Sequence, residues 1–490
     1  MKLFPVIFLT IFFIGQTGNS CFARNTGKET LPEIEKATFN PDAPPIRSLH
    51  SVGMSATILA RISAIARTGI RAHAYPGCQI LVVKDGKMVY EKCFGYYTYA
   101  AKKKVTPSTM YDLASLSKTT GTLLAIMKLY DKGKLKLTDR ASKYLSFLRG
   151  TDKTDITIEE LLFHESGLPA SIPLYNLAIA GRYRPSLIEM SEEKTKDDSI
   201  VFSHEFQFKE GFASSIPSPE FSLQVGKDFY VNKQFHDAAM KMIADTPLKS
   251  KVYRYSDLNF ILLEEIAEKI SGKPMDVFLN REFYDPMGLN NIDYLPLRTH
   301  SKSAIAPTLK RDFLRNGILQ GYVNDPNAAI LGGVAGNAGL FATARDVAAV
   351  YQMLLNQGEL NGKRYLSERT CRIFTTTTSA SGRRGLGYDK PVPNRPGHSP
   401  CCVSAPREVY GHTGYTGTCC WVDPVNDMIY IFLSNRTYPL DGINKLMRMG
   451  IRSKIQEILY QSIDEYAELH HQKEENLSSN VNKAIMEKMK

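Results

Sequence analysis

The order of secondary-structure signals along the 490 residues predicts an α+β fold. An antiparallel sheet is built from both ends of the chain and flanked by helices, and a mostly helical domain is inserted between them. Three observations carry this expectation. Residues 79–84 and 87–90 are β-prone runs joined by Asp85-Gly86, a hairpin signal. Residues 419–422 and 428–433 form a second such pair around the turn Asp423-Pro424-Val425-Asn426-Asp427. Between the hairpins, Leu258, Ile261, Leu262 and Ile266 recur at helical spacing up to Ser271-Gly272, a stop signal before Pro274.

The remaining elements follow in chain order. Lys2 precedes a short apolar run that ends in small residues, which describes a secretory signal peptide over residues 1–23 with cleavage after Cys21-Phe22-Ala23. The protein is therefore expected to be exported, to the periplasm or the extracellular space. Attachment to a membrane would come only through lipidation of Cys21, and Gly18 stands where such a signal carries Leu. Residues 24–50 are polar with Pro41, Pro44 and Pro45 and read as an extended leader. Ser55 can cap a helix bearing Ile58, Leu59, Ile62 and Ile65 on one face. A single domain is expected over residues 51–466. Residues 171–251 are less regular and read as a lid or insertion. Ile451, Ile455, Ile458, Leu459 and Ile463 share one face of a closing helix, and residues 467–490 read as a frayed polar tail.

Composition excludes several function classes. The net charge of +11 falls to +10 on removal of the signal, which carries one Lys and no acid. Basic residues are interspersed with acids and form no arginine-rich or aromatic-interleaved run, so nucleic acid is not an expected partner. The adjacent pairs Cys401-Cys402 and Cys419-Cys420 lack zinc-site spacing, and the ten His include no HExxH. No metal and no cofactor is called for. Strand alternation sends neighbouring cysteines to opposite faces, so one disulfide between the two pairs is expected.

Chemistry is concentrated in three places. Ser115-Leu116-Ser117-Lys118 is a Ser-x-x-Lys pattern followed by an apolar helix that stops at Gly133. One helical turn puts the Lys118 ammonium beside the Ser115 hydroxyl, which needs a proton acceptor to become nucleophilic. Lys118 can serve only if burial lowers its pKa. The same pattern at Ser191-Glu192-Glu193-Lys194 lies in a charged stretch and acts as an internal decoy. Tyr255-Ser256-Asp257 opens the helix at Leu258, and Tyr410-Gly411-His412-Thr413-Gly414-Tyr415-Thr416-Gly417 precedes the late hairpin. Taken singly, each also fits a helix cap, a loop or a strand end.

In order, Ser-x-x-Lys, Tyr-x-Asp and His-Thr-Gly resemble the three-motif signature of the serine β-lactamase and DD-peptidase family: class C β-lactamases, secreted DD-carboxypeptidases and related esterases. Residues 161–169 (LLFHESGLP) and 333–341 (GVAGNAGLF) resemble the same family, and the likeness runs from about residue 55 to 463. The resemblance implies a β-lactamase/transpeptidase-like fold and an acyl-enzyme mechanism. Ser115 is the implied nucleophile, Lys118 and Tyr255 handle its proton, and the backbone N–H groups of Ser115 and Tyr415 form an oxyanion hole. Asp257, His412, Thr413 and Gly414 are the implied substrate-binding residues, with His164 structural. Two positions depart from the β-lactamase pattern: Asp257 stands for Asn and His412 for Lys. His-Thr-Gly resembles DD-peptidases and D-amino-acid peptidases more than cephalosporinases. Hydrolysis of cell-wall-type D-amino-acid amides, with peptidoglycan peptides as partners, is therefore ranked first. A carboxylesterase or weak β-lactamase comes next, and an inactive envelope binding protein last. If His412 meets a substrate carboxylate, KM for anionic substrates should rise as pH climbs through about 6 to 7.

Overall fold

A computed structural model describes residues 37–180, 207–315, 317–392 and 396–488. The proposed signal and the first part of the leader, the decoy at Ser191 and part of the proposed lid lie outside them. The first hairpin forms strands β1, Gly77–Lys84, and β2, Lys87–Gly95, turning at Asp85-Gly86 with φ of 52° and 67°. Two short strands follow, β3 at Tyr111–Asp112 and β4 at Ile292–Tyr294, and both pair with β5 at Leu340–Ala342. The late segments form β6, Tyr410–Thr413, β7, Cys419–Asp423, and β8, Met428–Ser434. The main sheet runs β6-β7-β8-β1-β2, and every pairing in it is antiparallel. Strands from both ends of the sequence meet at its centre, where Leu81 faces Ile431.

The sheet is buried on both faces, and its side chains sort by period two. Ile80, Val82, Cys419, Trp421, Tyr430 and Phe432 pack with helices α1, Ala56–Leu59, and α2, Ile62–Arg71. The closing helix also covers that face. Leu81, Val83, Cys420, Val422, Ile429 and Ile431 join the larger core of the helical region. That region contains helix α3, Leu123–Asp131, helix α4, Asp257–Ser271, and helix α5, Ala344–Leu355. Ser55 caps α1 by accepting from the Ile58 N–H, and Gly272 ends α4 with φ 67°.

Two expectations change. The closing helix α6 runs from Ile451 to Lys488, so the presumed tail is helical nearly to its end. Glu, Lys, Ala and Met are good helix formers there, and His470 packs on His50 with ring centroids 4.7 Å apart. The expected disulfide is absent: all seven cysteines among the described residues are free thiols. Cys419 and Cys420 do face opposite sides, which leaves Cys420 in the other core from Cys401 and Cys402. No helix among the described residues is long and apolar enough to cross a membrane.

Candidate active site

The nucleophile segment is less regular than a helix start. Ala114–Leu116 is a single 3₁₀ turn and Lys118–Thr122 a π-type turn, which then leads into α3. Ala114 has φ 48°, a left-handed conformation costing on the order of 1 kcal/mol for a residue with a side chain. Asp112 on β3 holds it there: Oδ1 accepts from Ala114 N at 2.8 Å, and Oδ2 accepts from Asn324 N at 2.6 Å. The irregular turns leave Ser115 half-buried while Lys118 is fully buried.

Lys118 Nζ meets three acceptors, one for each ammonium hydrogen. They are Ser115 Oγ at 3.0 Å, Asp257 Oδ1 at 2.6 Å and Asn337 O at 2.9 Å. Burial by itself would discharge Lys118, but the charge of Asp257 and its hydrogen bond, with a further contribution from nearby Tyr255, leave its pKa above the ordinary Lys value. This corrects the expectation of a lowered pKa; Asp257, where the β-lactamase pattern has Asn, is the largest upward contributor. Asp257 is also placed differently from a substrate-binding residue, because its carboxylate is turned onto Lys118 with 23% of the side chain exposed.

Tyr255 lies just before α4, and its ring centroid is 5.1 Å from Lys118 Nζ. Its buried Oη makes no hydrogen bond of standard geometry. It is nevertheless close enough to Lys118 and Ser115 for both to draw its pKa down, against a larger upward push from burial and the charge of Asp257. The net effect is upward, so Tyr255 rests as a phenol. His164 packs on the Tyr255 ring at 4.7 Å. Its Nδ1 accepts from Ser256 N at 3.1 Å, so its hydrogen sits on Nε2. That support fits the structural role expected for His164.

The third motif forms the edge strand β6. Asp389 N donates to Gly411 O at 2.8 Å and Gly411 N donates to Asp389 O at 3.2 Å. Alternate peptide groups therefore point to the open edge, and Thr413 is the next in that series. The turn after β6 is tied to the nucleophile: Thr416 Oγ1 donates to Asp112 O at 2.6 Å, and Thr418 Oγ1 donates to Leu113 O at 2.8 Å. A side chain at Gly414 would sit 2.3 Å from Leu113 O, so only glycine allows this approach. Among the described residues, neither the Ser115 nor the Tyr415 N–H has a hydrogen-bond acceptor. That leaves two donors for an oxyanion.

His412 does not supply a titrating charge near pH 6 to 7. It is buried, and its Nδ1 donates to Thr413 O at 2.7 Å. Burial first, then the Arg384 guanidinium, pushes its pKa down to about 3 against a smaller upward pull from Asp389. The fixed cation on this side is Arg384, a residue outside the three motifs. It is 1% exposed, its Nη1 lies 3.2 Å from Asp389 Oδ1, and its Nε has no partner. Arg383 also pairs with Asp389, whose pKa the two arginines hold low despite its burial. A sequence signal existed in Arg383-Arg384 beside a lone Asp389, but it matches no motif.

Two further residues were invisible to motif reading. Asn337, within the glycine-rich stretch 333–341, presents its carbonyl to Lys118 and its Nδ2 to Asp325 Oδ1 at 3.3 Å. Asp325 caps the short helix Pro326–Ile330, and its pKa is raised by burial and then by the charge of Asp257.

Comparison with known proteins bears on the family and the fold. A protein of Escherichia coli (strain K12) described as "Putative D-alanyl-D-alanine carboxypeptidase" is 30% identical over 397 residues, covering 74% of this chain and 79% of that protein. One of the same description from Salmonella enteritidis PT4 is 29% identical over 428 residues, covering 80% and 86%. Among solved structures, the hydrolase EstCE1 superposes with a TM-score of 0.57 at 19% identity, covering 82% of this chain and 99% of that one. The D-alanine carboxypeptidase AmpC of Burkholderia cenocepacia gives 0.53 at 16% identity, covering 81% and 98%. These likenesses show the β-lactamase/transpeptidase-like fold. The Beta-lactamase family model matches residues 62–449, a span that holds the Ser115, Tyr255 and His412 motifs, and the chain belongs to that family.

Proposed function

We propose that this protein is an exported serine hydrolase that cleaves cell-wall-type D-amino-acid amides through an acyl-enzyme on Ser115. The observation that carries the proposal is the contact of Ser115 Oγ with the buried Lys118 Nζ at 3.0 Å, beside two backbone donors without an internal acceptor. Ser115 attacks the scissile carbonyl, and the developing oxyanion is met by the N–H groups of Ser115 and Tyr415. The Thr413 edge aligns the substrate backbone, with Gly414 allowing close approach. The resemblance of relatives described as D-alanyl-D-alanine carboxypeptidases supports this substrate class. So does Arg384, a cation near the His412 strand suited to the free carboxylate of a C-terminal D-amino acid.

A carboxylesterase is the second reading. The neutral His412, in place of the Lys of β-lactamases, leaves the strand itself without a charge that demands an anionic substrate. Mature protein is treated with a fluorophosphonate and with penicillin, and adducts are located by intact mass and peptide mapping. Turnover is then compared for a D-Ala-D-Ala peptide, a p-nitrophenyl ester and a β-lactam. A Ser115 adduct with preferred peptide turnover is expected. Absence of any adduct would return the protein to the class of envelope binding proteins, and preferred ester turnover would make it an esterase.

A further inference from the structure

In the resting site three of the four groups that could move the Ser115 proton already hold one. Ser115 is a hydroxyl, Tyr255 is a phenol, and Lys118 has three acceptors around it, the pattern of an ammonium. The remaining group is the Asp257 carboxylate, 2.6 Å from the same Lys118 Nζ that contacts Ser115 Oγ. We propose that Asp257 is the terminal proton acceptor of acylation and that Lys118 relays the Ser115 proton to it.

The step balances without a further reactant. The Ser115 O–H bond breaks as its proton passes to Lys118 Nζ, while one Lys118 N–H proton passes to Asp257 Oδ1. Lys118 remains an ammonium throughout. The Oγ electron pair forms the bond to the carbonyl carbon, and the carbonyl π pair moves onto the oxyanion. When the tetrahedral intermediate collapses, the C–N bond breaks and the leaving nitrogen takes the stored proton, delivered back by Lys118 and the Tyr255 phenol. Asp257 is then a carboxylate again and can accept a proton from the deacylating water.

The surrounding charges favour this direction. Asp325 faces the pair from the helix Pro326–Ile330, linked to it by Asn337, whose carbonyl binds Lys118. The two carboxylates interact: the charge of Asp257 adds to burial in raising the pKa of Asp325. From the other sides the pair is met by Tyr255, by His164, and by His412 and Arg384. Both histidines have pKa values pushed down by burial and by Arg384, with Lys118 adding to the effect, so they stay neutral. The relay rests on Ser115 being the nucleophile, but the two can fail separately.

The test is the pH profile of kcat/KM for a neutral p-nitrophenyl ester in wild type, Asp257→Asn and Asp257→Glu, with thermal melts as fold controls. In wild type the acid limb follows protonation of the carboxylate acceptor, whereas in Asp257→Asn it follows Lys118. The limb should move to higher pH by about two units or more, given the ordinary gap between carboxyl and amine groups. Asp257→Glu should bring it back. An unmoved limb in folded Asp257→Asn, whatever its kcat, overturns the relay. A proton inventory of wild-type kcat/KM in H2O/D2O mixtures needs no variant: two protons in flight give a curved plot, and a linear one overturns the relay. A fluorophosphonate adduct on wild-type Ser115 separates the two claims. With the adduct and a linear inventory only the relay falls; without the adduct the nucleophile falls with it.

Discussion

The two sides of Tyr255 are equally buried and oppositely charged. On one side Lys118 sits between Ser115 and Asp257, with Asp325 behind. On the other, His412 sits beside Arg384, and a single acid, Asp389, is shared between Arg383 and Arg384. Burial alone would strip the proton from both Lys118 and His412. Lys118 instead goes up, because Asp257 and Tyr255 together outweigh desolvation, and His412 goes down to about 3, because the Arg384 guanidinium adds to the larger effect of burial. The sign of the neighbours, not the depth of the group, decides which one carries charge. The acid-rich side thus holds a permanent ammonium at the nucleophile. The cation-rich side holds a neutral imidazole with a permanent guanidinium beside it.

The largest effects should come from the acid-rich side. Ser115→Ala should cut turnover by about a thousandfold or more, measured on whichever substrate wild type prefers. Ser191→Ala, the decoy copy of the motif, should leave it nearly unchanged. Equal losses would remove the basis for assigning chemistry to the Lys118 side. Tyr255→Phe should come next, lowering kcat by about a hundredfold with a smaller change in KM. A Phe variant with full kcat would make the Tyr255 ring packing for His164, with no part in proton transfer.

Much of the fold was legible because it rests on local signals. Asp85-Gly86 and the 423–427 turn mark hairpins, and Gly272 marks a helix end, without reference to distant residues. Within the site, the Ser115–Lys118 contact was legible for the same reason, being three residues long. What was not legible depends on residues far apart in sequence. Asp257 lies 139 residues from Lys118, and its effect on that Lys reverses the pKa direction expected from burial. Arg384 belongs to no motif, yet it adds to burial in keeping His412 neutral. The disulfide expectation failed although Cys419 shares a core with Cys401 and Cys402, because no spacing rule says which thiols come within bonding reach. Past residue 466 polar and charged residues dominate the sequence, and apolar ones such as Leu469, Leu477 and Val481 are too sparse to stand out as the usual helix signal.

On the cation-rich side a smaller and more selective effect is expected. Arg384→Gln should raise KM for substrates with a free carboxylate by about tenfold or more, in line with the roughly 1.5–3 kcal/mol of a hydrogen bond to a charged group. KM for the matching neutral ester should change little. Arg383 still pairs with Asp389 in this variant, so the carboxylate is not left uncompensated, and a thermal melt checks that the fold holds. Equal rises for acid and ester would mean that Arg384 only supports the strand.

The smallest effect concerns His412 and distinguishes the two sides by titration. With its pKa at about 3, His412 is neutral across pH 5 to 8. KM for an anionic substrate should then be flat through pH 6 to 7 where His412 is concerned. A KM that rises through that range in wild type but not in His412→Gln would show a titrating imidazole and overturn the assignment of the cation to Arg384. The same depressed pKa has a consequence for stability. Between about 6.5, the ordinary His value, and 3, the unfolded chain holds a proton on residue 412 that the folded chain does not. Stability therefore rises with pH in this window, and the contribution is lost as pH falls through it. Denaturant melts of wild type and His412→Gln at pH 7, 5.5 and 4 should show a steeper acid loss in wild type. His164, also depressed by burial, contributes equally to both proteins and cancels in the comparison. Parallel acid losses would mean that His412 is protonated in the folded state, and the electrostatic asymmetry about Tyr255 would then be much weaker than its geometry suggests.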